Sequence, residues 1–202
     1  MREKMSKSAE GTASIPLKKT VRFTEMAKGG AGEYALLHRL EQDYIRELPA
    51  RLLAALRELE NSLSGYRVSR LEHSLQSATR AHRAGESEEM VAAALLHDIG
   101  DGLAPHTHGE MAAAILKPYV SERAYWIVKH HGVFQMYYYA HHLGGDRHAR
   151  DRFKSHKWFQ DCADFCEKYD QSCFDPDYPS EPLEFFAPIL QRVFAKPRKE
   201  FL

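Results

Sequence analysis

The 202-residue chain is poor in the features that commit a protein to several common roles. It has only three cysteines, and Cys162 and Cys166 stand four apart in a helix-like segment, which is not the pattern of a disulfide framework. With no Cys or His at zinc spacing beside them, core packing is their ordinary reading. A reducing, cytoplasmic setting is the expectation. Neither charge sign is in excess, with 28 Lys and Arg against 28 Asp and Glu, so the basic field that holds a phosphate backbone or an anionic membrane surface is missing. No nucleic-acid partner is expected. No apolar run approaches the roughly 18 residues of a bilayer span, and the first twenty residues contain no apolar stretch of a signal peptide. No membrane partner is expected either.

Strand signals are also lacking, since no segment alternates apolar and polar residues with period two, and no internal repeat is found. The recurrent pattern is helical, and the fold class is all-α. Residues 1–32, rich in Lys, Ser and Gly, read as an N-terminal arm, and residues 33–202 as one domain. Tyr34, Leu37, Leu40, Tyr44, Ile45 and Leu48 form a first helical stripe, and Pro49 opens a second helix with Leu52, Leu53, Leu56, Leu59 and Leu63, stopped by Gly65. Ser69 with Glu72 predicts a capped third helix ending at Gly85. Ser87 caps a fourth, Met90 to Leu96, that is apolar on every side and must lie inside the core. Thr107 with Glu110 predicts a second capping box and a fifth helix. Ser121 starts a sixth that Gly132 should end. A loop from Phe134 to about His148 should follow, with Tyr137, Tyr138, Tyr139, His141 and His142 lining a pocket mouth or packing that loop. A helix from Trp158 to Asp170 and a short last helix through Phe194 complete the chain.

Histidine is over-represented, at 12 of 202, when roughly 2% is ordinary. His97-Asp98 closes the all-apolar fourth helix, where a carboxylate is rarely buried unless it is paired or bound to a metal. His73 lies in the first turn of the third helix, His108 at the start of the fifth, and His130 and His131 on the sixth. Neighbours on a helix point about 100° apart, so only one of the last two can face a given centre. Asp170 closes an apolar, aromatic stripe where a lone carboxylate would be costly. Each signal is weak alone. Together they supply four imidazoles and two carboxylates, a set that suits two transition-metal ions bridged by a carboxylate.

His73, then His97-Asp98 within LLHDIG, and Asp170 in EKYDQ resemble the H, HD and D of the HD-domain superfamily of metal-dependent enzymes. His108 and His131 resemble the two further histidines of its dinuclear members. The segments LEHSLQSA, AALLHDIGD, HGE and HHGVFQ are similar to the mixed-valent di-iron oxygenases, a group that includes myo-inositol oxygenase and phosphonate-cleaving HD oxygenases. The resemblance implies an HD-domain helical bundle with an N-terminal helical pair and a C-terminal helix. It also implies one metal held by His73, His97, Asp98 and Asp170, and a second by Asp98, His108 and His131. His108 is preferred to His106, and His131 to His130, by the residues that follow them.

The chain departs from those relatives in places. Their Tyr-x-x-Glu is replaced by Leu63-Ser64-Gly65-Tyr66, Asp101 stands where they carry Lys or His, Gln135 where Lys is expected and Glu167 where Arg is. A phosphonate held in the family's way is therefore not the expected substrate. Asp101, Gln135 and Tyr66 are candidates for substrate binding or proton transfer, with Asp101 as the catalytic candidate. Lys129, Arg147, Arg150, Arg152 and Lys168 are candidate anchors, although a solvated surface is the ordinary place for most such residues. The function implied is a di-iron (Fe2+/Fe3+) oxygenase acting with O2 on a small hydroxylated substrate; the alternative is an HD-type phosphohydrolase using Mn2+ or Mg2+.

Overall fold

The computed structural model describes residues 20–198, and among these no strand occurs. Most of the expected N-terminal arm lies outside the described residues. The chain divides after Tyr44 into two compact units. In the first, a helical turn (Met26–Lys28) precedes helix α1 (Ala31–Arg46), whose start is held by the Glu33 carboxylate accepting from the backbone N–H of Arg22 and Gly30. The expected apolar stripe of α1 is present but buries none of its residues; Leu40 and Tyr44 remain exposed.

The second unit contains helices α2 (Leu48–Glu58), α3 (Arg70–Arg83), α4 (Glu88–Leu96), α5 (His108–Leu116), α6 (Glu122–Tyr139), α7 (Phe159–Phe165) and α8 (Leu183–Val193). Helix α4 is the axis of the core: every residue from Met90 to Leu96 is buried, and α3, α6 and α8 pack around it. Burying side chains such as Val91, Leu95 and Leu96 contributes about 1.5–3 kcal/mol each. Ser69 and Glu72 form both bonds of the predicted capping box, and Ser87 and Ser121 cap α4 and α6 through their hydroxyls.

Four expectations are corrected. Helix α2 ends at Glu58 and passes into a short turn, Leu59–Asn61, leaving Leu63 exposed. The Thr107 side chain makes no capping bond to α5, so the second box does not form. Helix α6 runs through Gly132 to Tyr139, and a helical turn (Ala140–Leu143) replaces the start of the predicted loop. Tertiary contact explains this continuation, because Phe134 is buried in the core and a glycine inside a helix weakens it without breaking it. The segment from Trp158 to Asp170 is α7 followed by a wider π-helical turn, Cys166–Asp170, closed by the Gln171 N–H donating to the Cys166 carbonyl. Such turns recur where a helix must aim a functional side chain.

Two glycines allow close approaches that position the histidines. A Cβ on Gly100 would lie 2.8 Å from the His108 carbonyl oxygen, and one on Gly109 would lie 3.0 Å from both the His131 ring and the Val128 carbonyl oxygen. Gly109→Ala is therefore expected to cost about 1–3 kcal/mol through overpacking, whereas Gly102→Ala, with nothing within 4 Å, should stay within about 0.5 kcal/mol of the parent. Thermal unfolding of the two variants measures the difference; equal melting temperatures would contradict the packing described.

Candidate metal centre

Five segments deliver the candidate ligands to one buried place: His73 from the first turn of α3, His97 and Asp98 from the end of α4, His108 from the first residue of α5, His131 from the middle of α6, and Asp170 from the π-helical turn. All but His108 are buried. Each imidazole is held from behind. Nδ1–H of His73 donates to the Cys173 carbonyl (3.0 Å), that of His97 to Ala94 (2.7 Å) and that of His131 to Val128 (2.6 Å). His108 Nδ1 faces the Pro105 carbonyl (3.3 Å) and the Asp101 carboxylate (3.4 Å). These partners only accept, so a proton sits on Nδ1 and Nε2 is the atom each ring turns inward, toward Asp98 or Asp170; it can present a lone pair to a metal once free of a proton of its own.

The inward atoms meet in pairs. His73 Nε2 is 3.0 Å from His97 Nε2, and His108 Nε2 is 3.2 Å from His131 Nε2. Asp98 stands between the pairs and divides its oxygens: Oδ2 lies 3.4 and 3.6 Å from His73 and His97, while Oδ1 lies 3.4 and 3.3 Å from His108 and His131. Asp170 Oδ1 completes the first group at 3.4 and 3.8 Å from His73 and His97. Ligands about 2.1 Å from one cation are about 3.0–3.4 Å apart at octahedral or tetrahedral angles. The observed spacing has that scale, and three overlapping sets, His73–His97–Asp170, His97–Asp98–His131 and Asp98–Asp101–His108, each have their donor atoms within 4.8 Å of one another. These buried groups could hold metal ions.

Electrostatics point the same way. Burial drives the His97 imidazole down to about 4, against the pull of Asp98 and Asp170. Burial also pulls His131 down, but its hydrogen bond to Asp98 and the charges of Asp98 and Asp170 outweigh this and raise it to about 9. Burial opposes the charge on both carboxylates too, yet the surrounding imidazoles hold Asp98 well below its ordinary value and also lower Asp170. The pocket thus concentrates negative charge, which Arg70 offsets in part at Asp98 Oδ2 and which protons or a metal cation would balance further.

The residues around the ligands are partly those singled out by sequence. Gln135 donates its amide to Asp170 Oδ1 (3.0 Å), and Tyr66 stacks on Phe174, which in turn stacks on His73. Both line a cavity of about 280 Å³ over the cluster, together with Tyr138, Tyr139 and Arg70. Asp101 is placed differently from the expectation of substrate contact: it is not among the side chains lining that cavity. Its Oδ2 binds Arg70 Nε (2.8 Å) and its Oδ1 faces His108 Nδ1, so it works from behind the ligands.

Arg70 is the residue that sequence reasoning missed. It also reaches Asp98 Oδ2 (3.3 Å), and its place one helical turn before His73, on the same face, was the available signal. His130, the alternative to His131, packs its ring on Trp126 and Phe153. His106 lines a neighbouring cavity, and the His141 and His142 rings lie against each other at a tilt, 4.0 Å between centroids. Arg147 and Arg150 both stack on Tyr137, Lys168 pairs with Asp164, and Glu167 is exposed. Cys162 and Cys166 are buried thiols donating to the Ile127 and His131 carbonyls.

The family model of the HD domain matches residues 70–161, from the first residue of α3 into α7. Residues 70–161 are an HD domain. No curated protein matches the chain. HD domains are a family of metal-dependent enzymes, and the matched span contains His73, His97, Asp98, His108 and His131. Asp170 lies beyond it and joins the cluster only in space.

The placement of neighbouring histidines gives a direct check. His131→Ala should lower metal content at least tenfold, as loss of a ligand or its immediate support does, whereas His130→Ala should leave it unchanged. Elemental analysis of both variants after equal metal loading reads the result; equal loss in both, or loss in neither, would reject the ligand assignment.

Proposed function

We propose that the cluster holds two metal ions bridged by Asp98, and that the protein is a di-iron oxygenase that uses O2 to oxidise or cleave a small hydroxylated substrate. The observation that carries the dinuclear part is the division of the two Asp98 oxygens between different imidazole pairs, which a single ion would not require. Four imidazole nitrogens with two carboxylates suit iron. An iron pair, when bound, would supply the electrons and Lewis acidity that oxidation of a C–H bond by O2 requires.

The chain's own contribution is orientation and exclusion of water. His73, His97 and Asp170 would hold one ion, and His108 and His131 the other, with the backbone carbonyls behind the rings fixing Nδ1 as the donor and leaving Nε2 as the ligand atom, which a metal would bind in exchange for any proton there. Tyr66, Tyr138 and Phe174 give the cavity apolar walls, and its volume of about 280 Å³ limits the substrate to a small molecule. Gln135 Oε1 and Asp170 Oδ2 are buried acceptors without a protein partner, on residues that line the cavity. Unpaired buried acceptors call for a donor, which a substrate hydroxyl provides. Asp101 acts as a positioning residue, holding Arg70 and His108. Burial and the nearby Asp98 charge raise its pKa, while Arg70 and His108 oppose this.

The hydrolytic alternative would use the same ligands. What favours oxidation is the state of Arg70, which is neutralised by two carboxylates and so is poorly placed to receive a phosphoryl group. Protein purified without oxygen should contain two irons per chain and show the low-g EPR signal of a coupled ferrous-ferric pair that changes on adding a polyol substrate, with O2 consumed during turnover. Manganese or magnesium together with phosphate release from model esters, and no O2 uptake, would replace this reading with a phosphohydrolase.

A further inference from the structure

A second cavity, of about 420 Å³, adjoins the first and shares His108, Gly132 and Tyr139 with it. Its lining includes Lys129 and Arg152. Neither cation has a carboxylate within ion-pair distance among the described residues; the Lys129 ammonium sits 5.9 Å from the Tyr125 ring and the Arg152 guanidinium 4.8 Å from that of Phe153. The one carboxylate in this lining, Glu110, leaves the pair of cations in excess. The first cavity is the opposite case, since its only arginine is bound to Asp98 and Asp101.

Gly132 lies between the two spaces. It is inside α6, where glycine weakens a helix, and its backbone has no positive φ that would demand glycine. A side chain there would begin 3.8 Å from His108 Nε2, the atom facing the cluster. The helix thus carries its smallest residue on the wall common to both cavities, where an added Cβ would already be in van der Waals contact with the His108 ring.

We propose that Lys129 and Arg152 form an anchoring subsite for an anionic end group of the substrate, whose hydroxyl-bearing end reaches the cluster past Gly132. This rests on the small-molecule enzyme reading above and adds a substrate class: a short hydroxylated compound ending in a carboxylate or a phosphate-like anion. Charge-assisted hydrogen bonds to two unpaired cations in a concave site provide the recognition.

Calorimetric titration of inorganic phosphate, and separately of acetate, into the metal-loaded full chain tests it. Saturable binding of at least one anion is expected, weakened about tenfold or more by Lys129→Gln and by Arg152→Gln, as removal of a bond to a charged group does. Lys168→Gln, which removes a cation already paired with Asp164, should leave the affinity unchanged. Phosphate without acetate binding would assign a phosphate-like end group, and acetate binding a carboxylate. No saturable binding of either anion, or affinities identical in the parent and both variants, would overturn the subsite; identical affinities would place the anion on the metals. Metal content, measured on each sample, separates this outcome from failure of the metal-centre reading, because a parent chain that binds no metal would reject that reading whatever the anion does.

Discussion

Asp98 faces two pairs of imidazoles at once, and the arrangement of the centre follows from satisfying that one buried carboxylate. A charge in this position is costly unless several partners converge on it, and the convergence is achieved by helix ends and backbone carbonyls rather than by long flexible side chains. Each histidine is gripped at Nδ1 by a carbonyl, three of them from its own or the adjoining turn and one, for His73, from Cys173 a hundred residues away. The rings are thereby fixed before any ligand arrives, which is what preorganisation of a metal site means physically.

The fold serves that fixation. Helix α4 is apolar on every side, so it can only run through the core, and its end carries His97-Asp98 to the middle of the domain. Gly100 and Gly109 then let the turn after α4, the start of α5 and the flank of α6 come closer than any side chain would allow. The result places His108 and His131 opposite the same Asp98 oxygen. Asp101, behind the ligands, and Arg70, on the cavity wall, form a second layer of charge: Arg70 offsets Asp98 and Asp101, and Asp101 holds the outer nitrogen of His108. That layer leaves the cavity over the cluster with little free positive charge, and the adjoining cavity with Lys129 and Arg152 has the complementary character.

Much of this was legible from residue order. The capping serines at 69, 87 and 121 and the all-apolar α4 were identifiable because each depends on local periodicity or capping chemistry, whereas the set of six candidate ligands, His108 over His106 and His131 over His130 included, came from resemblance to the HD-domain family. What escaped notice depends on neighbours distant in sequence. Gly132 looked like a helix end, but packing of Phe134 carries α6 onward to Tyr139. Thr107 had the composition of a cap without the contact, since its hydroxyl makes no bond to α5. Asp101 stood at the spacing of a substrate contact, yet a salt bridge to Arg70 turns it to the back of His108.

Sequence by itself determined the class of the protein, because helical periodicity, capping chemistry and the scarcity of unpaired buried charge act over one or two turns and can be read locally. Tertiary structure alone decided which oxygen of Asp98 meets which histidines, that Arg70 belongs to the centre, and where open cationic space lies beside it. Those outcomes depend on contacts across the chain, 28 residues between Arg70 and Asp98 and 33 between Asp98 and His131, which are set by how the helices pack and are encoded in no single stretch of the chain.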